Sequence, residues 1–286
     1  MAGHSHDNMD WNARLEMLRD SDALTAPEMA ELARRLLRPG DRSIVEVGSG
    51  AGGQAAAFAA QLPAGGSVQV VDVAQELLDA TAQEVRAAAP EGVEVRSVLG
   101  DAAEDAFTEQ VQPADLVFAA AVVHHLPDQL AGLRRLAGLV RPGGRLAIVE
   151  FGLEERTLPW DIGLGEPGLE ARLSAARNQW FRGMREGMDE QTRLPMGWGS
   201  ALREAGLTDV ETWSYLVDRP APVTGAAHRA VLRRLEMLIE HGGEQLDEAD
   251  LRTVQRLLDP EDPEYAGNRS DLYYLSASTV HVGTRN

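Results

Sequence analysis

The stretch Ile44-Val45-Glu46-Val47-Gly48-Ser49-Gly50-Ala51-Gly52-Gly53 decides the fold of this chain. Its β-branched start is typical of a buried strand, and the glycines that follow predict a tight turn into the alanine-rich helix over residues 54–61. Such a loop lets a ligand approach bare backbone N–H groups at the start of a helix. The stretch therefore predicts a binding loop for a nucleotide-like cofactor.

Strands and helices alternate around this loop. We predict strands over residues 43–47, 68–72, 93–99, 115–120, 145–151, 210–217 and 271–283, with helices between most of them. Two amphipathic helices are expected before the first strand, over residues 11–19 and 27–37, and Thr25 is the predicted N-cap of the second. Alternation at these lengths indicates an α/β fold with a parallel, doubly wound sheet.

Composition excludes several classes of chemistry and partner. The 286 residues include no cysteine, which excludes disulfides, thiolate nucleophiles and thiolate metal sites. The 27 basic residues are all arginine, so no lysine can act as a base or form a Schiff base. A net charge of −18 repels nucleic acid. Apolar runs fall short of the roughly 20 residues that span a membrane, and the polar start resembles no secretory signal, so we expect a cytoplasmic protein without a membrane partner.

The glycine loop by itself is compatible with two cofactors. Gly48, Gly50 and Gly53 satisfy the dinucleotide fingerprint G-x-G-x-x-G. Glu46 together with the glycines at 48, 50 and 52 equally satisfies the form E/D-x-G-x-G-x-G. The loop therefore leaves a nicotinamide dinucleotide and a second kind of nucleoside cofactor open.

Acids at the ends of the predicted strands separate these two interpretations. Glu46 would repel a pyrophosphate in the crevice but would attract a cofactor with an α-ammonium group. Asp72 closes the second strand, where an acid can bind ribose hydroxyls in either case. Asp101 closes the third strand and could accept a hydrogen bond from an adenine amino group. The run Leu139–Glu150 adds a helix end, a turn and a hydrophobic strand in the expected order.

With these motifs, residues 40–151 resemble the class I S-adenosylmethionine-dependent methyltransferases, including the ubiquinone/menaquinone type and an actinobacterial small-molecule branch. The head over residues 3–11 and the tail over 269–273 are also similar to that branch. The resemblance implies a seven-stranded Rossmann-like sheet, with helical cap inserts and with the last strand antiparallel between the fifth and sixth. It also implies S-adenosylmethionine as the cofactor.

The resemblance carries cofactor roles to particular residues. The methionine part would lie against Glu46, the loop backbone and the end of the fourth strand, the ribose against Asp72, and the adenine against Val73, Asp101 and Ala102. The implied cofactor contacts are Glu46, Gly48, Ser49, Gly50, Gly52, Asp72, Val73, Asp101, Ala102, Ala119 and Ala120. Asp72 and Asp101 could alternatively be solvated carboxylates at strand ends.

The resemblance also divides the chain into six segments. They are N-terminal cap helices (1–40), the S-adenosylmethionine-binding core (41–151), a substrate-cap insert (152–194), a continuation of the core (195–218), a helical cap insert (219–270) and the final core strand (271–286).

Two adjacent histidines are the candidates for a general base. His124 and His125 follow the fourth strand and precede a helix start at Leu126-Pro127-Asp128. Histidine titrates near neutral pH, and a base is needed only when the methyl acceptor carries a proton of high pKa. Similarity to methyltransferases of phosphoethanolamine favours His125, the histidine before the leucine. Either histidine could instead pack or cap the helix.

Aromatic residues outside the core are the candidates for acceptor contacts. Trp11, Trp160, Trp198 and Tyr273 could stack on a planar acceptor, or could form the apolar interior of the inserts. His4, His6 and Asp7 could bind a metal, but we expect a His-rich head without one. The acid pattern of the metal-dependent catechol type is absent, so no metal site is predicted.

The predicted function is methyl transfer from S-adenosylmethionine to a small molecule, in secondary metabolism, with oxygen favoured as the acceptor atom and nitrogen or carbon open. The alternatives are an NAD(P)-dependent oxidoreductase built on the same sheet, and a protein that binds S-adenosylmethionine without transferring its methyl group. A homodimer is compatible with the sequence.

Overall fold

The computed structural model describes residues 11–187, 192 and 194–286. Its strands form one mixed sheet in the order β3-β2-β1-β4-β5-β7-β6, with the last strand antiparallel. This confirms the predicted α/β fold class, including β7 between β5 and β6. The strands are β1 (Ser43–Val47), β2 (Ser67–Asp72), β3 (Glu94–Leu99), β4 (Ala114–Ala120), β5 (Val140–Arg156), β6 (Thr208–Arg219) and β7 (Tyr274–Thr284).

Helices connect most of these strands. They are α1 (Trp11–Leu36), α2 (Gly53–Ala59), α3 (Gln75–Ala88), α4 (Phe107–Gln110), α5 (Gln129–Gly138), α6 (Leu169–Glu186), α7 (Trp198–Glu204), α8 (Gly225–Gly242) and α9 (Glu248–Leu258). None of the described helices is both long enough and apolar enough to cross a membrane.

The N-terminal region differs from the prediction of two helices. Residues 11–36 form one helix, with Pro27 inside it. Thr25 does not cap a second helix; its hydroxyl donates to the carbonyl oxygen of Ser21, 2.9 Å away, one turn earlier. Leu24, Leu32 and Leu36 are buried, so packing against the core outweighs the helix-breaking tendency of the proline.

The sheet separates two apolar cores because successive side chains of a strand point to opposite faces. Along β1, Ile44 belongs to the core shared with α1, α2 and α3, whereas Val45 and Val47 belong to the core shared with α5 and α7. All five residues of β1 are buried. The central strand is therefore covered on both faces, as expected for a parallel sheet.

The register of the sheet determines which strand ends meet. Val47 pairs with Val71 of β2 and with Ala119 of β4, and both neighbours run parallel to β1. Since the order of the strands reverses between β1 and β4, the crevice beyond their carboxyl ends is the expected ligand site. The glycine loop begins there.

The chain separates into two compact units. The first comprises residues up to Phe151 together with 192–215 and 278–286, and the second comprises 152–191 and 216–277. Within the second, Arg172 of α6 forms an ion pair with Asp250 of α9 at 2.6 Å. The division into six segments stays a prediction, and the head with His4, His6 and Asp7 lies outside the described residues.

Candidate active site

The loop after β1 has a conformation that only glycine adopts easily. Gly48 and Gly52 have φ angles of +71° and +96°. A Cβ on Gly48 would lie 2.3 Å from a methyl group of Val122, and a Cβ on Gly52 would lie 2.8 Å from the Cα of Thr81. The loop therefore packs tightly between the segment after β4 and helix α3.

The backbone N–H groups of this loop already have partners within the protein. Those of Gly48 and Ser49 donate to the carbonyl oxygen of Val71, at 2.8 and 3.2 Å. Those of Gly50 and Gly53 donate to the carboxylates of Asp72 and Asp22, at 3.2 and 2.9 Å; that of Gly52 donates to the carbonyl of Ser49. The expectation of bare N–H groups is therefore wrong for these residues, because each N–H already donates a hydrogen bond to a neighbouring acceptor of the protein.

Two buried oxygen atoms of the same loop lack partners. Among the described residues, neither Glu46 Oε2 nor Ser49 Oγ has a hydrogen-bond partner. Burial raises the pKa of Glu46 well above its ordinary value, and the charges of Asp22 and Asp72 raise it further. A buried acceptor without a donor is costly, so this site suits a ligand that brings donors and positive charge.

Asp72 lies where the sequence predicts it, at the end of β2 beside the glycine loop. Its carboxylate accepts hydrogen bonds from the N–H groups of Gly50 and, at 2.8 Å, Val73. The residue is 7% exposed. These bonds hold the carboxylate in a fixed orientation at the carboxyl edge of the sheet.

The remaining predicted cofactor residues surround the same strand ends in the first unit. Asp101 follows β3 and accepts a hydrogen bond from the N–H of Ala103 at 2.8 Å. Val73 is 43% exposed, whereas Ala102 and Ala119 are buried; Ala120 is half-buried. The structure thus brings these residues to neighbouring strand ends, and their cofactor contacts stay predictions.

His124, which follows β4, and Glu150, which lies within β5, form a buried polar pair. His124 Nδ1 lies 2.8 Å from Glu150 Oε2, and the two residues are 8% and 3% exposed. Glu150 Oε1 accepts the N–H of Val123 at 3.1 Å, which anchors the 3₁₀ turn that carries His124. The carboxylate on the Nδ1 side favours a proton on Nδ1 and leaves Nε2 as the acceptor.

His125 has a different environment. It is exposed, and its ring centroid lies 4.0 Å from that of His124. The geometry therefore gives the carboxylate partner to His124, although sequence similarity favours His125. The acid at 150 was visible at the end of a predicted strand, but its pairing with His124 was not, because the two residues lie 26 positions apart.

The aromatic candidates for acceptor binding have separate surroundings. Trp198 is half-buried and packs against the core beside α5 and α7. In the second unit, the hydroxyl of Tyr273 donates to the carbonyl oxygen of Leu158 at 2.9 Å, and Trp160 is 76% exposed. Only the backbone of Trp11 is described. Their roles as substrate contacts stay predictions, although Trp198 and Tyr273 clearly have structural contacts.

Within the described residues, no three histidine, aspartate or glutamate side chains come together as a potential metal site. The prediction of a metal-free site stays a prediction.

Comparison with known proteins identifies the core. Residues 45–146 match a family model described as "Methyltransferase domain". The match covers the glycine loop and the carboxyl ends of β1 to β4, and it stops within β5 before Glu150.

Two curated relatives extend the likeness beyond this domain. A trans-aconitate 2-methyltransferase of Methylobacterium radiotolerans is 34% identical over 175 residues, which are 57% of this chain and 62% of that protein. A nocamycin O-methyltransferase of Saccharothrix syringae is 37% identical over 136 residues, which are 44% of this chain and 45% of that protein. The chain thus spans less than two thirds of either relative's length.

A solved structure shares the fold. The structure of an O-methyltransferase family protein from Burkholderia thailandensis superposes with a TM-score of 0.51 at 18% identity, covering 98% of this chain and 61% of that one. The resemblance found in the sequence implies S-adenosylmethionine as the cofactor. Glu46 Oε2 and Ser49 Oγ, which are buried and have no partner among the described residues, fit this cofactor, because its methionine part carries an ammonium group that donates hydrogen bonds.

Proposed function

We propose that this chain transfers the methyl group of S-adenosylmethionine to a small-molecule acceptor, and that the acceptor atom is a hydroxyl oxygen. The proposal rests on the hydrogen bonding of the glycine loop. The backbone N–H groups of its glycines donate to acceptors within the protein, whereas the buried atoms Glu46 Oε2 and Ser49 Oγ have no hydrogen-bond partner among the described residues. This loop is built to accept hydrogen bonds from a cationic ligand.

The same observation argues against an NAD(P)-dependent oxidoreductase. A dinucleotide loop holds a pyrophosphate with backbone N–H groups, and those of Gly48, Ser49, Gly50, Gly52 and Gly53 are taken by protein acceptors. An acid as buried as Glu46 would also repel that pyrophosphate.

The residues of the chain have three tasks in this proposal. When bound, S-adenosylmethionine supplies a methyl group that is already activated as part of a sulfonium. Glu46 and Asp72 hold and orient the cofactor, which lowers the entropic part of the barrier. His124 accepts the proton of the acceptor hydroxyl at Nε2, and Glu150 orients the ring from the Nδ1 side.

The His124–Glu150 pair supports a hydroxyl as the acceptor. A hydroxyl must lose a proton as the methyl group is transferred to it. A carboxylate has no proton to lose, so a carboxylate acceptor would not need His124 as a base. The relative named as a nocamycin O-methyltransferase supports oxygen, and both named relatives support a small molecule. We extend the proposal to a cytoplasmic enzyme of secondary metabolism in the actinobacterial branch.

Calorimetry and a turnover assay test the proposal together. We expect S-adenosylhomocysteine and S-adenosylmethionine to bind the purified protein and NAD(P) not to bind. In a panel of phenols, alcohols, enols, carboxylic acids and amines, S-adenosylhomocysteine should form with a hydroxylated member. Binding of NAD(P) alone would support the oxidoreductase, and cofactor binding without turnover of any acceptor would support a protein that only binds S-adenosylmethionine.

A further inference from the structure

Helix α1 contributes an acid to the glycine loop that the sequence motifs do not include. The carboxylate of Asp22 accepts a hydrogen bond from the N–H of Gly53 at 2.9 Å. A Cβ on Gly53 would lie 2.6 Å from that carboxylate, and Leu18, one turn earlier in α1, lies 3.8 Å from the position a Cβ would take on Gly50. One face of α1 therefore lies directly on the loop.

Asp22 stands in the same electrostatic environment as the partnerless acid of β1. The charges of Asp22 and of Asp72 both act to raise the pKa of Glu46. Burial raises the pKa of Asp22 itself to about 6, the N–H of Gly53 opposes this, and the charge of Glu84 on α3 raises it further. The carboxyl groups of α1, β1 and β2 therefore interact around one loop.

Among the described residues, the charges that shift the pKa of Glu46 are both acidic. Arg14 of α1 is exposed, and its charge interacts with Asp72. Glu46 Oε2, on a residue that is 4% exposed, has no hydrogen-bond partner among the described residues. A cluster of acids that includes a buried acceptor without a donor is energetically costly. A cation that donates hydrogen bonds would lower this cost.

We propose that Asp22 is a cofactor-binding residue, and that it acts with Glu46 to neutralise the α-ammonium group of the methionine part. This inference rests on the proposed function, since it assumes that S-adenosylmethionine occupies the loop. It adds helix α1, which precedes the matched domain, to the cofactor site. It also makes cofactor binding depend on pH in a defined direction.

The direction follows from linkage. Carboxyl groups that are protonated in the free protein must lose their protons to face an ammonium group, so binding releases protons and strengthens as pH rises. With a pKa of about 6 for free Asp22, one coupled proton makes affinity about tenfold weaker at pH 5 than at pH 7. At pH 6 this group would release about half a proton on binding.

The test uses Asp22→Asn, which removes the charge but keeps an oxygen that can accept the N–H of Gly53. Glu31→Gln is the matched control, because it removes one negative charge from the exposed face of the same helix. Binding of S-adenosylmethionine and of S-adenosylhomocysteine is measured by calorimetry at pH 5, 6 and 7. Two buffers of different ionisation enthalpy at pH 6 give the number of protons released.

We expect Asp22→Asn to bind both compounds about tenfold more weakly at pH 7, to release fewer protons at pH 6 and to lose most of the difference between pH 5 and pH 7. The Glu31→Gln control should match the wild type. If a folded Asp22→Asn variant shows unchanged affinity and unchanged proton release, Asp22 only holds α1 against the loop, and the inference is overturned.

Two further outcomes keep the inference separate from the proposed function. The wild type alone is informative if the variant fails to fold, because binding without proton release at pH 6 overturns the inference. Proton release with S-adenosylmethionine but not with S-adenosylhomocysteine also overturns it, since the two share the ammonium group and differ in the sulfonium. If the wild type binds neither compound, the proposed function itself fails.

Discussion

The acids at the two ends of the central strands have opposite environments. At the amino end, Asp115 accepts hydrogen bonds from the N–H groups of Arg42 and Ser43, at 2.8 and 2.9 Å, and from the hydroxyl of Ser43. Burial raises the pKa of Asp115, but these bonds and Arg141 outweigh it and leave the pKa below its ordinary value. At the carboxyl end, Glu46 has a strongly raised pKa and an oxygen without a partner among the described residues.

Arg145, a second charged residue at the amino end, has partners for two of its three side-chain nitrogens, while its Nε has none among the described residues. The guanidinium of Arg145 donates to the carbonyl oxygen of Leu36, where α1 ends, and to Asp41. Polar groups at this end therefore join segments of the chain that are far apart in sequence. At the other end, Glu46 Oε2 and Ser49 Oγ have no partner among the described residues, so these two oxygens are the ones that a ligand could bind.

Replacing His124 tests whether the carboxyl end carries out chemistry. For His124→Asn we expect turnover of a hydroxylated acceptor to fall by about 10²–10⁴-fold, because the general base is lost, while cofactor affinity persists. The adjacent His125→Asn serves as the control, since His125 is exposed and lies next to His124 in the chain. Similar turnover of both variants in steady-state assays would show that His124 is not the general base. A large loss of turnover in His125→Asn alone would support His125, the histidine that sequence similarity favours.

Asp115→Ala tests the amino end. The substitution leaves the buried N–H of Ser43 without an acceptor, so we expect the free energy of unfolding to fall by about 3 kcal/mol. Denaturant titration measures the loss, and Glu109→Ala, at an exposed acid, should change stability by less than about 0.5 kcal/mol. Cofactor affinity of folded Asp115→Ala should equal that of the wild type; a clear loss of affinity would mean that the two ends are not independent.

Glu46→Gln tests the carboxyl end, where we expect a substitution to lower cofactor affinity and to raise the stability of the free protein. We expect cofactor affinity to fall about 30–100-fold, because a charge-assisted bond to the ammonium group is lost. The cofactor-free variant should be more stable than the wild type by about 1 kcal/mol, since burial and the charges of Asp22 and Asp72 disfavour a carboxylate at this position and glutamine carries no charge. Thermal unfolding with and without S-adenosylhomocysteine measures both effects, and a destabilised free protein would show that Glu46 has a structural partner.

The pKa shifts predict how stability without cofactor depends on pH. Glu46 and Asp22 have raised pKa values when folded, so their contribution is fully present below pH 4 and is lost as pH rises through about 6 for Asp22. Asp115 has a lowered pKa, so its contribution is lost as pH falls below about 4. We expect the free energy of unfolding at pH 7.5 to lie on the order of 1 kcal/mol below that at pH 5, after allowing for solvent screening.

Saturating S-adenosylhomocysteine should abolish this decline between pH 5 and pH 7.5. Denaturant titrations across the range check the prediction, and a decline that persists with the ligand bound would mean that other groups cause it.

The smallest effect is expected at Ala121, which directly follows β4. Its φ is +54°, a left-handed conformation that alanine adopts at a cost of roughly 1 kcal/mol. Ala121→Gly should therefore stabilise the protein by less than about 1 kcal/mol, because glycine relieves the strain but has more freedom when unfolded. Ala120→Gly, one residue earlier in the strand, should destabilise it. Chemical denaturation of both variants decides whether strain is concentrated at this end of the sheet.

Much of the fold could be predicted from local pattern. The alternation of strands and helices gave the sheet, and the glycines after β1 marked the loop, because both signals lie within a few adjacent residues. The single helix α1 was missed since Pro27 is a strong local signal for a break, while the packing that overrides it comes from residues on other elements.

The candidate site was predictable only in part. Glu46, Asp72 and Asp101 stand at the ends of predicted strands, so topology alone brings them to neighbouring positions. Asp22 had no motif and fell between two predicted helices; it reaches Gly53 across 31 positions of the chain. Among the two histidines, sequence similarity favoured the one that the structure leaves exposed.

Residue order along the chain was sufficient for the sheet, the glycine turn and the set of acids at its edge, because hydrophobic period and backbone freedom are local properties. Tertiary structure alone decided which of those acids are satisfied and which are not. The pKa of a carboxyl group depends on its burial and on the donors around it, and those donors come from segments that only folding brings together.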